Sequence, residues 1–146
     1  MTGTPHHVGC AVPRLQNGIA TYSDSLGLRR RSRAFDVTSQ NVQVCFLEIT
    51  DGFFLELVAP LNEKARLSSF LRSGFYHLCF LVDDLEAAGQ GLRGRAFQPL
   101  PAFASEAFGG APCQFFLTPE KHLVELAQMS GARFRDFFHA HLEIDP

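Results

Sequence analysis

The sequence lacks several features that would place it in a specialised class of protein. Its 146 residues hold no C-x-x-C pair, and the four cysteines stand 34 or 35 residues apart. This spacing excludes a zinc ribbon, and we expect buried reduced thiols rather than a disulfide scaffold. No apolar run approaches the roughly 18 residues that cross a membrane, and the start lacks the pattern of a signal peptide. We therefore expect a cytoplasmic protein.

An excess of charge of one sign is also missing. Lys and Arg number 13 against 15 Asp and Glu, which gives a formal net charge of -2. A chain so close to neutrality offers no general attraction to nucleic acid or to an anionic membrane surface. The hydrophobic share of 46% instead predicts a globular domain with a continuous core. The expected partners are small molecules, with no nucleic acid and no membrane among them.

An internal repeat organises the chain. Residues 7–15 and 77–85 share the pattern H-x-x-x-x-V-x-x-L at an offset of 70 residues. Glu56 and Glu125 each lie inside an apolar run, and their offset is 69 residues. Two independent landmarks that agree within one residue indicate a duplication.

Each half has the same order of predicted elements. A short apolar strand begins at His7 or His77, and an amphipathic helix follows it. In the first half the helix runs for about three turns from Leu15, with Gly27 as its C-cap. Three strand-like runs come next in each half, at about 29–36, 42–49 and 53–59, and at about 96–103, 112–118 and 122–128. The order predicts an α+β fold made of two tandem βαβββ modules.

The modules, at about 5–60 and 75–129, are expected to form a single domain over residues 1–129. A short amphipathic helix within 60–73 is predicted to join them. Residues 130–146 are expected to be a C-terminal helical extension, because phenylalanines recur there at helical spacing.

Strand parity suggests that two histidines and two glutamates meet. The fully apolar face of each repeated strand must contact the helix, so His7 and His77 lie on the other face. Glu56 and Glu125 have apolar neighbours, where a lone carboxylate costs on the order of several kcal/mol unless paired, solvated or bound to a cation. Packing about a pseudo-twofold axis would bring all four residues to one cavity, whereas the alternative is four unrelated edge or surface residues. Two imidazoles and two carboxylates suit a divalent metal ion.

At these residues the sequence resembles the vicinal oxygen chelate superfamily, which includes the glyoxalases. The stretches that carry the resemblance are HHVGCAV from His6, LELVAPL from Leu55, YHL from Tyr76 with VDDL from Val82, and LVEL from Leu123. Within the superfamily the chain is most similar to the methylmalonyl-CoA epimerases and next to glyoxalase I. The resemblance implies that the paired modules curl into one mixed sheet around a metal cleft.

The resemblance also implies roles for the four residues. It makes His7, Glu56, His77 and Glu125 the ligands of one divalent metal ion, and these donors do not distinguish Zn, Ni, Co, Mn and Fe. We expect Glu125 to be the general base that removes a proton α to a carbonyl or thioester. The epimerases can carry a second catalytic glutamate on the third strand, but the matching residues 41–44 include no acid.

The function expected on this basis is that of a metal-dependent epimerase or isomerase acting on an acyl-CoA, as in the methylmalonyl-CoA group. One alternative is a lactoylglutathione lyase, glyoxalase I, acting on a glutathione adduct. An Fe(II) dioxygenase is disfavoured because Glu56 supplies a fourth ligand. A non-catalytic small-molecule-binding or resistance module is disfavoured because such modules commonly lack the ligands. The superfamily also suggests a homodimer.

Several further residues are weaker candidates for the site. Gln43 and Gln114 lie on neighbouring strands and either orient substrate or satisfy backbone groups. Cys79 shares a face with His77 and is expected to line the pocket. Arg31 belongs to a cluster of arginines. We expect this cluster either to hold coenzyme A phosphates or a glutathione carboxylate, or to form a solvated edge strand. Two more histidines, His6 and His122, are candidate donors to the site.

Overall fold

The computed structural model describes residues 3–62 and 74–143, which form one mixed nine-stranded sheet with three helices. The strands are β1 (Thr4–Ala11), β2 (Phe35–Val37), β3 (Val42–Thr50), β4 (Phe53–Pro60), β5 (Gly74–Val82), β6 (Gln98–Pro99), β7 (Phe103–Ser105), β8 (Ala111–Leu117) and β9 (Leu123–Gln128). The helices are α1 (Leu15–Ile19), α2 (Leu85–Arg93) and α3 (Gly131–Ala140). A π-helical turn, Ala20–Ser25, continues α1, and short 3-10 turns cover Thr38–Gln40 and Glu106–Phe108.

The sheet has the internal symmetry that the repeat predicts. Its strand order is β2-β3-β4-β1-β5-β9-β8-β6, and β7 also pairs with β8. The antiparallel pair β1–β5 forms the centre, and each of these strands has a parallel neighbour, β4 beside β1 and β9 beside β5. Each half therefore contributes a strand, a helix and further strands in the predicted order. The prediction of an α+β fold of paired modules is confirmed.

The edges of the sheet differ from the prediction. The strand expected at about 29–36 is reduced to β2 and to single bridges, which join Arg31 to Leu47 of β3 and Ser32 to Leu142. The strand expected at about 96–103 is broken into β6 and β7. Proline at 99 and 101 removes two backbone donors there, which limits pairing. The predicted connecting helix lies mostly in 63–73, outside the described residues.

The sheet buries apolar side chains on both faces. Leu57 and Leu126 belong to the face that packs under α1 and α2 respectively. The opposite face, which carries His7, Glu56, His77 and Glu125, is called the inner face below. Its largest apolar cluster includes Phe46, Phe54 and Phe108 from the sheet region and Phe134 and Phe138 from α3.

Helix α3 therefore packs onto the inner face. Ser130 caps its start by accepting a hydrogen bond from the backbone N–H of Arg133. Phe134 and Phe138 are each only 1% exposed. None of the helices within 3–62 and 74–143 is long and apolar enough to cross a membrane.

Candidate metal centre

Four side chains converge on the inner face: His7, Glu56, His77 and Glu125. The Nε2 atoms of His7 and His77 lie 3.0 Å apart. His7 Nε2 is 3.4 Å from Glu56 Oε1 and 3.2 Å from Glu125 Oε1. The corresponding distances from His77 Nε2 are 3.5 Å and 3.4 Å. All four residues are buried. These distances show that the structure brings together the quartet predicted from the repeat.

Strand register explains how the four residues meet. The parallel pairing of β1 with β4 sets Gly9 beside Glu56, and that of β5 with β9 sets Cys79 beside Glu125. The antiparallel central pair then sets Gly9 opposite His77. The same strand relation in each half places one carboxylate on either side of the histidine pair.

Gly9 is required by the close approach of His77. A Cβ atom built on Gly9 would lie 2.0 Å from Cε1 of the His77 ring, and the neighbouring ring atoms are almost as near. No side chain fits at this position while the ring stays in place. Glycine in the middle of β1 therefore serves to seat the imidazole.

The four donors fit a divalent ion. Ligands bonded to a metal at about 2.0–2.2 Å lie roughly 3.0–3.5 Å from one another, which is the range seen between the imidazole nitrogens and the carboxylate oxygens. Glu125 Oε1 is buried and has no hydrogen-bond partner among the described residues, although both histidines lie close to it. A cation in the centre would satisfy this oxygen.

The quartet shifts the pKa of each member. Burial by itself would lower the pKa of His7, but Glu56 and Glu125 outweigh burial and raise that pKa to about 9. Burial would raise the pKa of both glutamates, but the two histidines outweigh it and lower both pKa values. At neutral pH the metal-free site therefore holds carboxylates and a protonated His7. A metal ion has to displace that proton.

Two further groups adjoin the quartet. Cys79 is buried against Glu125, and burial raises the pKa of its thiol, so it is neither ionised nor primed as a nucleophile. The ring of Tyr76 packs edge-on against His77 at a centroid distance of 4.4 Å. Burial, followed by Glu56 and Glu125, raises the pKa of this phenol. Sequence reasoning missed Tyr76, because alternation in an ideal strand assigns it to the face opposite His77.

The structure places three of the weaker candidates away from the quartet. Phe46 on β3 pairs with Glu56, and Gln43 lies on the opposite face of the same strand. The Gln43 amide donates to Asp36 Oδ1 at 3.2 Å. Gln114 is one residue from Phe115, the partner of Glu125, and donates to the Leu100 carbonyl on the side of α2. Arg31 donates to Ser23 Oγ at 3.4 Å.

The two additional histidines have different positions. His6 is buried and lies against His7, where its Nδ1 is 2.8 Å from Nδ1 of that residue. His122 is exposed in the turn before β9. The third strand, β3, does carry an acid with the inner-face parity, Glu48, but this carboxylate lies 3.4 Å from Arg30.

Comparisons with known proteins identify the family of the chain. Residues 6–116 match the model of the glyoxalase/bleomycin resistance protein/dioxygenase superfamily. The chain is 31% identical to the mitochondrial methylmalonyl-CoA epimerase of Homo sapiens over 133 residues, which cover 86% of this chain and 74% of the relative. It is 29% identical to the ethylmalonyl-CoA/methylmalonyl-CoA epimerase of Cereibacter sphaeroides over 136 residues, covering 88% of this chain and 100% of the relative.

A solved structure supports the same relationship. The crystal structure of methylmalonyl-CoA epimerase from Mycobacterium tuberculosis superposes with a TM-score of 0.70 and 27% sequence identity. The match covers 85% of this chain and 86% of the tuberculosis protein. The similarity therefore extends over most of both folds.

Proposed function

Because this chain belongs to the glyoxalase/bleomycin resistance protein/dioxygenase superfamily, and is an epimerase-like enzyme within it, we propose that it inverts C2 of an alkylmalonyl-CoA thioester such as methylmalonyl-CoA. The observation that carries the proposal is the buried quartet of two imidazoles and two carboxylates. Relatives named as methylmalonyl-CoA epimerases support the choice of substrate class.

The quartet supplies both a cation site and a base. We propose that His7, Glu56, His77 and Glu125 hold one divalent ion, which when bound would supply Lewis-acid polarisation of the substrate carbonyl. Both glutamates are carboxylates at neutral pH, and Glu125 is the proposed base because its buried Oε1 has no hydrogen-bond partner among the described residues. Glu56 is the proposed permanent ligand on the other side of the histidine pair.

The chemistry of the base follows from its charge. The Glu125 carboxylate takes the proton from C2, and the C–H electron pair moves towards the thioester carbonyl. The α-carbon becomes planar, and a donor on the opposite face other than Glu125, such as a water molecule, delivers a proton there to give the other epimer, while the proton on Glu125 passes to solvent. A proton that returns to the same face gives exchange with solvent but no inversion.

The test compares two substrates on the metal-loaded protein. We expect methylmalonyl-CoA to be epimerised, and the adduct of methylglyoxal with glutathione to react far more slowly. Faster turnover of the glutathione adduct would identify a lactoylglutathione lyase instead. If both substrates were inert on protein carrying one metal ion per chain, the catalytic proposal would be wrong and a binding module would be indicated.

A further inference from the structure

His6 is a polar ring in an aromatic environment. It is 1% exposed, and its ring centroid lies 4.1 Å from that of Phe134, 5.0 Å from Phe54 and 5.3 Å from Phe108. Phenylalanine would fill such a place without a polar group to bury. A histidine here loses hydration on both ring nitrogens, so its presence calls for a polar partner.

The partner is His7. The two Nδ1 atoms are 2.8 Å apart, which is a hydrogen-bond distance, and only one proton can lie between them. A neutral imidazole carries a single ring proton, on Nδ1 or on Nε2, and accepts at the other nitrogen. One of the two histidines therefore donates and the other accepts.

The direction of this hydrogen bond follows from the other side of His7. His7 Nε2 points at the quartet, where it is 3.0 Å from His77 Nε2. A nitrogen that binds a metal carries no proton, so His7 keeps its proton on Nδ1. His7 Nδ1 then donates to His6 Nδ1, and the single proton of His6 lies on Nε2.

The free side of His6 agrees with this assignment. Its Nε2 is buried and has no hydrogen-bond partner among the described residues. His6 also lines a cavity of about 150 Å³ beside α3, together with Thr4, Glu48 and Phe134. The lining is mostly apolar, but Thr4 and Glu48 bring polar groups to it, and a water molecule held there would give the Nε2–H group its acceptor.

We propose that His6 is a positioning residue for the metal centre. By accepting the Nδ1 proton of His7, it holds His7 in the tautomer whose Nε2 faces the quartet, and it fixes the rotation of that ring. The inference rests on the metal centre of the proposed function and is independent of the substrate.

Two substitutions separate this role from simple packing. In His6→Phe the ring volume is kept and the acceptor is lost, which leaves the Nδ1–H of His7 buried without a partner. In His6→Asn the ring volume is lost, but the amide oxygen reaches about where Nδ1 stood. Loss of a partner of this kind typically weakens metal binding about 10- to 100-fold.

The measurement is the affinity for Zn²⁺, determined by chelator competition in the absence of substrate, together with the thermal midpoint of the metal-free protein. We expect His6→Phe to weaken Zn²⁺ binding by at least tenfold and to lower the metal-free midpoint less than His6→Asn does. We expect His6→Asn to lower the midpoint but to bind Zn²⁺ within a few-fold of the unmodified chain.

A packing role predicts the reverse order. If His6→Phe bound Zn²⁺ as tightly as the unmodified chain, the proposal would be overturned. Imidazole ¹⁵N chemical shifts of the Zn²⁺-loaded protein give a second readout, since we expect protonated Nδ1 on His7 and unprotonated Nδ1 on His6. The opposite pattern would also overturn it, whereas failure to turn over methylmalonyl-CoA would refute only the proposed function.

Discussion

Gly9 and His77 face each other across the central strand pair, and the imidazole occupies the space that a side chain on Gly9 would need. This contact makes the candidate metal centre depend on a residue that offers no donor atom. A ligand's position in β-structure is set as much by the residue opposite it as by its own strand.

The first prediction concerns that contact. Gly9→Ala should move the His77 ring out of the quartet and weaken Zn²⁺ binding by more than tenfold, measured by chelator competition. Gly91→Ala is the matched control, because a Cβ at Gly91 on α2 meets nothing within 4 Å. The control should leave Zn²⁺ binding unchanged and stabilise the fold by about 0.5–1 kcal/mol. Equal Zn²⁺ affinity in the two variants would contradict the steric argument.

The second prediction separates the two glutamates. Each change to glutamine keeps a carbonyl oxygen and removes the charge. Glu125→Gln should abolish exchange of the substrate α-proton in D₂O, whereas Glu56→Gln should retain measurable exchange, because only Glu125 is assigned as the base. Exchange is followed by mass spectrometry on protein of verified metal content. The reverse result would exchange the roles of the two carboxylates.

The third prediction concerns the pH dependence of the metal-free protein. The pKa of His7 is about 9 in the folded state, above its ordinary value of 6.5. The stabilisation from protonating His7 is therefore complete below about pH 6.5 and is lost as the pH rises through 9. Denaturant titrations in the presence of a chelator should show declining stability between pH 6.5 and 9. Rising stability over this interval would contradict the coupling of His7 to the carboxylates.

The same groups give a prediction for acid. Because the histidines lower the pKa of Glu56 in the folded state, its contribution to stability is present above its ordinary pKa of 4.5 and is lost as the pH falls below that value. Between pH 6 and acid, the metal-free protein should therefore lose more stability than the metal-free Glu56→Gln variant loses over the same interval. An identical acid dependence in both proteins would show that Glu56 is not held as a buried carboxylate.

The fifth prediction concerns α3. Phe134 is buried against Phe46, Phe54 and Phe108, so Phe134→Ala should reduce the free energy of unfolding by about 3–5 kcal/mol. Phe75→Ala is the control, because Phe75 is 64% exposed. Its effect should stay within about 0.5 kcal/mol in a denaturant titration. A small effect at Phe134 would show that α3 does not pack on the inner face.

The repeat made the central part of the molecule predictable. Duplication relates His7 to His77 and Glu56 to Glu125, and alternation on the strands sets their faces, so the quartet followed without coordinates. Its metal-binding and catalytic roles stay predictions. The edges were less predictable, because Ser32 pairs with Leu142 from the end of the chain, and no local pattern reports such a contact.

The neighbours of the quartet show the limit of strand alternation. The pairing of β1 with β5 shifts register between Pro5 and His7, and His6 contacts His7 from a position that ideal alternation would assign to the other face. Tyr76 departs from ideal alternation in a similar way. Gln43 and Gln114, by contrast, obey alternation and therefore lie on the helix side, where each satisfies a local hydrogen bond.

The place of α3 has a consequence for local stability. The residues that follow its last turn are tied to the arginine segment, since Arg33 N–H donates to the His141 carbonyl and Glu143 N–H donates to the Arg31 carbonyl. The helix is therefore held both by its phenylalanines on the inner face and by these two backbone hydrogen bonds. Detachment of the helix would uncover the aromatic cluster and free the arginine segment in one cooperative step, which hydrogen exchange of the amides of Arg33 and Glu143 would report.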